Sequence, residues 1–345
     1  NPQLFALAYT WQRDSDEISE FQATHAGLQT EQFLNSPFAA ILRGEGGIRR
    51  RLEGENLRLD FPVLQELKDE GITDYVAVPL RFSDGQINIL VLYSDAPGGF
   101  TTEQLGQLYE VLANLSRLLE AHAQRVSSLT LLQTYLGRDA GQRVIDGLIK
   151  RGDGEELNAV IWFSDLRGST ALAETLERED YLEALNQYFD SVAGAVIEQG
   201  GEVLKFIGDA VLAIFAIDEA PNSAGTACDS ALAAVKLARK RLGKINAERS
   251  GAGQPALAFG TALHVGKLMY GNIGTPRRLD FTVIGPSVNE AARLESMCKD
   301  LGQAVIVSEA FAARSSCQLL SLGRHELRDV SQAQELFTLD DVPAA

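Results

Sequence analysis

Two aspartates, Asp165 and Asp209, each stand where an apolar run stops. Carboxylates placed in this way can hold a divalent cation that neutralises a phosphate. Ala159-Val-Ile-Trp-Phe163 has the unbroken apolar character of a buried strand. It gives way to Ser164-Asp165-Leu-Arg-Gly-Ser-Thr170, after which Leu172, Leu176, Tyr181, Leu185, Tyr188, Phe189, Val192 and Val196 recur at helical spacing. The order is strand, carboxylate, glycine-containing turn, helix start. Unpaired N–H groups at a helix start bind phosphate. A capping aspartate at an ordinary strand-to-helix turn has the same appearance.

A second segment narrows the chemistry. Val203-Leu-Lys-Phe-Ile207 and Ala210-Val-Leu-Ala-Ile-Phe215 flank Gly208-Asp209, which reads as a two-residue hairpin turn. Asp209 then sits at the tip, with Lys205 four residues back on the first strand. A plain turn aspartate and an edge lysine are the bland alternative. Two aspartates, each at a strand end, fit two-metal phosphoryl transfer better than chance. A third segment, His264-Val-Gly-Lys-Leu-Met-Tyr-Gly-Asn-Ile-Gly274, has glycines suited to a bent strand pair or a turn. In the fourth, Asp280-Phe-Thr-Val-Ile-Gly-Pro-Ser-Val-Asn-Glu-Ala-Ala-Arg293, a strand ends at Gly285-Pro286 and a helix begins at Ser287. Asn289 and Arg293 are i, i+4 on one helical face. An amide and a guanidinium so placed are either a solvated pair or a clamp for ribose and phosphate.

Together Phe163-Ser-Asp-Leu-Arg-Gly-Ser-Thr170, Lys205-Phe-Ile-Gly-Asp209, Met269-Tyr-Gly-Asn-Ile-Gly274 and Gly285-Pro-Ser-Val-Asn-Glu-Ala-Ala-Arg293 resemble the class III nucleotide cyclase catalytic domain, in its motif order. The resemblance implies a ferredoxin-like βαββαβ core with extra elements, working as a head-to-tail homodimer whose sites are assembled from both chains. It places Asp165, Asp209 and the backbone of Leu166 at two Mg2+ or Mn2+ ions. The turn Leu166, Arg167, Gly168, Ser169 and Thr170 would bind phosphate. Lys205 would read the purine, Asn289 orient the ribose, and Arg293 stabilise the transition state. Thr282 falls where many adenylate cyclases carry a second purine-reading aspartate, which resembles the Lys/Thr subclass that includes bicarbonate-responsive enzymes. Guanylate cyclases typically show glutamate and cysteine at these two purine positions. Arg328, in Leu327-Arg-Asp-Val330, is the nearest match to the late phosphate-binding lysine. The implied reaction is ATP to cyclic AMP and pyrophosphate. The alternatives are a guanylate cyclase and a catalytically silent nucleotide-binding module.

These groups need elements to position them, and the rest of the 345-residue chain reads as mixed α/β (α+β). Phe5 to Tyr9 is a short strand. Gly44–Gly47 and Arg49–Arg51 read as a loop and a basic turn within a mostly polar stretch. Asp74–Leu80 and Ile87–Tyr93, joined around Asp84-Gly85, predict a hairpin, with Pro79 at an edge or bulge. Pro97-Gly98-Gly99 closes the unit, and Thr101 or Thr102 caps a helix. Tyr75-Val-Ala-Val-Pro-Leu80, Asp84-Gly85, Ile89-Leu-Val-Leu92 and Phe100-Thr-Thr-Glu103 resemble a GAF domain, which implies a sensor with a small-molecule or protein input of unknown identity. The absence of cysteine from residues 1–227 argues against a thioether-linked bilin; His25 is a candidate haem ligand with a low prior.

Leu105, Leu108, Leu112, Leu115, Leu119, His122, Val126 and Leu129 step by 3, 4, 3, 4, 3, 4, 3. This is a heptad seam on a helix on the order of 40 Å long, and it predicts a dimeric coiled coil with His122 setting register. One amphipathic helix packed on its own domain is the alternative. Gly137 breaks the pattern, Val144 to Ile149 form a shorter helix, and Arg151–Gly154 is a linker. The expected division is 1–104 sensor, 105–157 connector and transducer, and 158–345 catalytic domain.

Composition bounds the partners. Lys+Arg 31 against Asp+Glu 47 leaves a net charge of −16, the opposite of a nucleic-acid footprint. Cys228, Cys298 and Cys317 are far apart, which excludes a zinc ribbon and a disulfide scaffold and suits a reducing cytoplasm. No apolar stretch approaches the ~20 residues of a membrane span.

Overall fold

The computed structural model describes residues 4–13, 15–24, 29–328 and 333–340. His25 and the Asp329-Val330 end of the late basic motif lie outside them. The chain divides into two compact units, Asn1–Thr130 and Leu131–Ala345.

In the first unit β1 (Leu4–Thr10) and β2 (Ser19–Thr24) pair antiparallel. Two short helices follow, α1 (Glu31–Leu34) and α2 (Pro37–Leu42), each begun by a side-chain cap, Thr30 and Ser36. Next come β3 (Ile48–Arg51), α3 (Pro62–Asp69), β4 (Asp74–Arg81) and β5 (Ile87–Ser94), with β4 central in a three-stranded sheet. The expected basic turn is therefore a strand. Two of its arginines are neutralised within the unit: Arg49 reaches the fully buried Asp74 at 2.6 Å, and Arg50 forms a two-pronged pair with Asp60 at 2.6 and 2.7 Å. Pro79 lies beyond Ala77, the last β4 residue paired with β3, so that side of the strand has no neighbour there. Ile41, Ile48, Leu52, Leu64 and Tyr75 form the core.

Helix α4 (Thr102–Leu136) has 35 residues, about 50 Å at 1.5 Å per residue. Thr101 begins it with a reciprocal cap: its hydroxyl accepts from the Gln104 N–H, and Gln104 Oε1 accepts from the Thr101 N–H. The apolar seam residues are half-buried within one chain, while Val111 and Leu118 beside them are exposed. His122 is exposed too, with Nε2 3.2 Å from the Tyr9 hydroxyl. Glu120 accepts from Ser83, so the helix also carries polar contacts to its own unit.

In the second unit α5 (Arg138–Ile145) starts six residues earlier than expected and stops before Asp146. The main sheet starts with β6 (Gly154–Leu166), four residues before the expected boundary. After it come α6 (Ser169–Thr175) and α7 (Arg178–Glu198). These are two helices rather than one continuous one, because Leu176 and Glu177 adopt extended backbone. β7 (Glu202–Ile207) and β8 (Ala210–Ile217) form the expected hairpin, with Gly208 at φ 64° in its two-residue turn. Glycine tolerates that left-handed conformation without a steric penalty. α8 (Ser223–Gly251), β9 (Phe259–Thr275), β10 (Arg278–Ile284), α9 (Pro286–Asp300), β11 (Val305–Ser308), α10 (Glu309–Ala312), β12 (Leu319–His325) and β13 (Gln334–Leu339) complete the unit. Helix α9 begins one residue before the expected Ser287, with Pro286 at its first position, where a missing N–H costs nothing.

The strand order is β12-β13-β11-β9-β6-β8-β7, with β10 paired to β9. Strands β9-β6-β8-β7, joined through α7 and α8, make the expected βαββαβ core. Alternation along β6 divides its side chains: Val160 and Trp162 join the cluster of Tyr188, Val192, Leu232 and Val235 from α7 and α8. Ala159 and Ile161 face the opposite cluster, with Ala140 of α5 and Ala291 of α9. Strand period and helix period meet in one sheet covered on both faces.

Candidate active site

Strand β6 delivers Asp165, whose neighbours across the ladders are Ala210 of β8 and Gly260 of β9. Asp209 immediately precedes Ala210, so the two carboxylates meet at the end of adjacent strands. Beneath them Trp162 Nε1 donates to Ser164 Oγ at 3.0 Å, and Ser164 shares a 3.3 Å contact with the Tyr188 hydroxyl. This buried chain fixes the strand end that carries Asp165. Burial, then the charge of Asp209, pushes the Asp165 carboxyl up to about 6; Arg167 pulls the other way. Gly168, at φ 69°, turns the chain into α6, whose first N–H groups have no intrahelical acceptor. Leu166 is buried in the first core cluster, while Gly168 and Thr170 are exposed at the turn.

Sequence reasoning missed two residues here. Glu295 on α9 is buried at 5% exposure and pairs with Arg167 at 3.1 Å. Its Oε1 and Arg167 Nη2 have no hydrogen-bond partner. Burial raises the Glu295 pKa, Arg167 opposes the shift, and the Asp165 and Asp209 charges add to it. The second is Gly260: a Cβ there would overlap the Arg167 guanidinium and lie 2.6 Å from Glu295. The signal available in sequence was Glu295 two residues after Arg293, an acidic residue at a core-facing position of an amphipathic helix.

Three carboxylates around one guanidinium leave an excess of negative charge, which a divalent cation would relieve. Among the described residues no group of three or more His, Cys, Asp or Glu encloses a metal site. Two half-buried carboxylates match a Mg2+-type site completed by phosphate oxygens and water. Asp165 and Asp209 therefore fit a divalent metal.

The other candidates gather elsewhere. Lys205 on β7 forms an ion pair with Asp280 on β10. Asp280 and Thr282 lie on one face of β10, because side chains two apart share a strand face. Asn289 is exposed and Arg293 half-buried on α9. At 100° per residue they stand about 40° apart around the helix, while Glu295 lies about 200° from Arg293. Glu295 lies on the side of α9 that meets Arg167, and Asn289 and Arg293 stand about 120° and 160° from it around the helix. Arg328 is exposed in a turn, just before the described residues break off.

A family model described as the adenylate and guanylate cyclase catalytic domain matches residues 154–338. An adenylate cyclase of Anabaena cylindrica is 34% identical over 173 residues, 49% of this chain and 33% of the relative. An uncharacterized protein of Mycobacterium tuberculosis is 30% identical over 250 residues, 72% of this chain and 42% of the relative. The chain thus spans a third to about two fifths of the length of these relatives. The crystal structure of the adenylyl cyclase CyaB from P. aeruginosa aligns with a TM-score of 0.50 at 26% identity, over 55% of this chain and 97% of that one. A bacterial light-regulated adenylyl cyclase aligns at 0.54 and 25%, over 68% and 66%. No helix among the described residues is long and apolar enough to cross a membrane.

Proposed function

The chain belongs to the adenylate and guanylate cyclase catalytic domain family, and from that premise we propose that it converts ATP to 3′,5′-cyclic AMP and pyrophosphate at sites shared between two copies. The observation that carries this reading is the position of α9. Glu295 on one side of the helix pairs with Arg167 of its own chain, and Asn289 and Arg293 stand on a different side. A site needing all four side chains is completed when a second chain supplies the pair.

In the reaction the ribose 3′-oxygen attacks the α-phosphorus, the bond from that phosphorus to the bridging oxygen breaks, and pyrophosphate leaves. The hydroxyl proton passes to solvent or to the departing phosphate. Asp165, Asp209 and the Leu166 backbone would hold two Mg2+ or Mn2+ ions, which when bound supply Lewis-acid activation and neutralise phosphate charge. The N–H groups of the Leu166–Thr170 turn hold the polyphosphate. Arg293 of the second chain stabilises charge that develops on the α-phosphoryl group, and Asn289 orients the ribose. Arg328 is the candidate for the far end of the triphosphate.

Lys205 and Thr282 read the base. The lysine donates to adenine N1, and Thr282 accepts from the exocyclic amine through its hydroxyl or its backbone. Guanine reverses both groups and would leave polar groups unpaired. We read the N-terminal unit as a GAF-like sensor whose input reaches the catalytic unit through α4, paired with its copy as a coiled coil.

The test is purified protein with ATP or GTP and Mg2+ or Mn2+, with chromatographic identification of the product. Cyclic AMP should form, with kcat/KM at least about tenfold higher for ATP than for GTP. Comparable GTP turnover would contradict the base assignment; no cyclic product from either would contradict the activity.

A further inference from the structure

β7 and β10 are not ladder neighbours: β7 pairs with β8, and β10 pairs with β9. Leu204 of β7 shares a core cluster with Phe281 and Val283 of β10, and the Lys205–Asp280 ion pair links the two strands by charge. Phe281 and Val283 of β10 are buried in the core, so Asp280 and Thr282 share the opposite, outward face. Two residues along a strand is about 7 Å. The Lys205 ammonium is thereby anchored within one pleat of Thr282.

We propose that Asp280 is the positioning residue of the base-reading pair: its carboxylate holds the Lys205 ammonium so that the remaining N–H donors face the N1 edge of adenine. This rests on the reading of Lys205 as the base-contacting group. An unanchored lysine has more rotamer freedom to lose on binding than almost any other side chain. An ammonium has three donors, and Asp280 uses one and leaves the others for the ligand. Asp280 belongs to neither the metal pair nor the phosphate turn, and acts only through Lys205.

The experiment compares ATP with 1-deaza-ATP, in which the N1 acceptor is a C–H, on the wild-type chain and on Lys205→Ala and Asp280→Ala. The ratio of the two kcat/KM values on one protein sample cancels the fraction of folded enzyme, so a merely structural effect does not move it. If Asp280→Ala is insoluble, Asp280→Ser serves. Wild type should prefer ATP by roughly 10- to 150-fold, the range of a hydrogen bond from a charged donor. Lys205→Ala should bring the ratio to within about threefold of unity, and Asp280→Ala should lower it at least about fivefold from wild type. A ratio kept in Asp280→Ala but lost in Lys205→Ala overturns the positioning role and leaves the lysine reading intact. A wild-type ratio near unity, or one unchanged in Lys205→Ala, overturns the lysine reading itself.

Discussion

Arg293 and Glu295 are two residues apart on α9 and do opposite jobs, because the helix turns them about 200° from each other. Glu295 is buried against Arg167, close to the charges of Asp165 and Asp209, whereas Arg293 is half-buried on another side of the helix. Glu295→Ala removes the buried partner of Arg167 and leaves a cavity, with the Asp165 charge still beside the guanidinium, and should cost about 1–3 kcal/mol of stability. Arg293→Ala should change stability by less than about 1 kcal/mol and abolish turnover. Urea denaturation of both variants, beside cyclase assays, separates the two roles. A stable Glu295→Ala would contradict the account of the buried pair.

Glu202 predicts a pH dependence. Its carboxylate accepts from the Tyr270 hydroxyl at 2.8 Å and from the Ala140 N–H at 3.2 Å, so it ties α5 to the catalytic sheet. Burial holds its pKa above the usual glutamate value. A carboxyl raised in the folded state binds its proton more tightly there than in the unfolded chain. Its stabilising contribution is full below the unfolded pKa and is lost as pH rises through the folded one. Glu202→Gln keeps an acceptor oxygen and removes the titration. Relative to wild type it should therefore gain stability as pH rises above the unfolded glutamate range, about pH 4. Denaturation at several pH values and low protein concentration measures this; a pH-independent difference would contradict it.

Two glycines should respond oppositely to alanine. At Gly260 a Cβ collides with Arg167 and Glu295, and Gly260→Ala should cost about 1–3 kcal/mol and reduce activity. Gly243, inside α8, has open space around it. Gly243→Ala should stabilise by about 0.5–1 kcal/mol through helix propensity. Melting curves of both decide the matter, and equal responses would show that the close packing at Gly260 is not what sets its cost.

The helix α4 predicts a phase effect. Its seam residues are half-covered by their own chain, while Val111 and Leu118 beside them stay exposed. An apolar stripe wider than one unit covers suits a second helix. Inserting seven residues after Leu119 keeps helical phase approximately, whereas inserting two to four does not. If rotation of the helix pair controls the catalytic units, activity should follow insertion phase. Equal activity across all insertions, with dimerisation confirmed, leaves the helix a tethering role alone.

What could be read in advance was set by local rules. Asp165, Asp209 and the Gly208 turn were visible because a strand end, a turn glycine and an apolar run are each short-range signals. The strand end at Gly285-Pro286 was visible for the same reason, although the helix takes in Pro286 itself. The basic run at Arg49–Arg51 was misread as a turn because Asp74 and Asp60, which neutralise it, come from elsewhere in the chain. The break at Leu176–Glu177 left the apolar spacing of α6 and α7 nearly intact, so periodicity did not reveal it. Glu295, Gly260 and Asp280 were missed because each takes its meaning from a partner on another element: Arg167 for the first two, Lys205 for the third. Long-range pairing of charges has no period and no spacing to read.

The central claim is that each site draws its aspartates from one chain and its asparagine and arginine from the other. Asp165→Ala and Arg293→Ala chains, each purified alone, should form dimers and make no cyclic AMP. Mixed under conditions in which subunit exchange is demonstrated, they should regain activity, because one of the two interface sites in each heterodimer is then wild-type. At equal mixing half of the dimers are heterodimers with one intact site of two, so about a quarter of the wild-type rate is expected. A mixture that exchanges subunits and stays inactive would contradict the shared site.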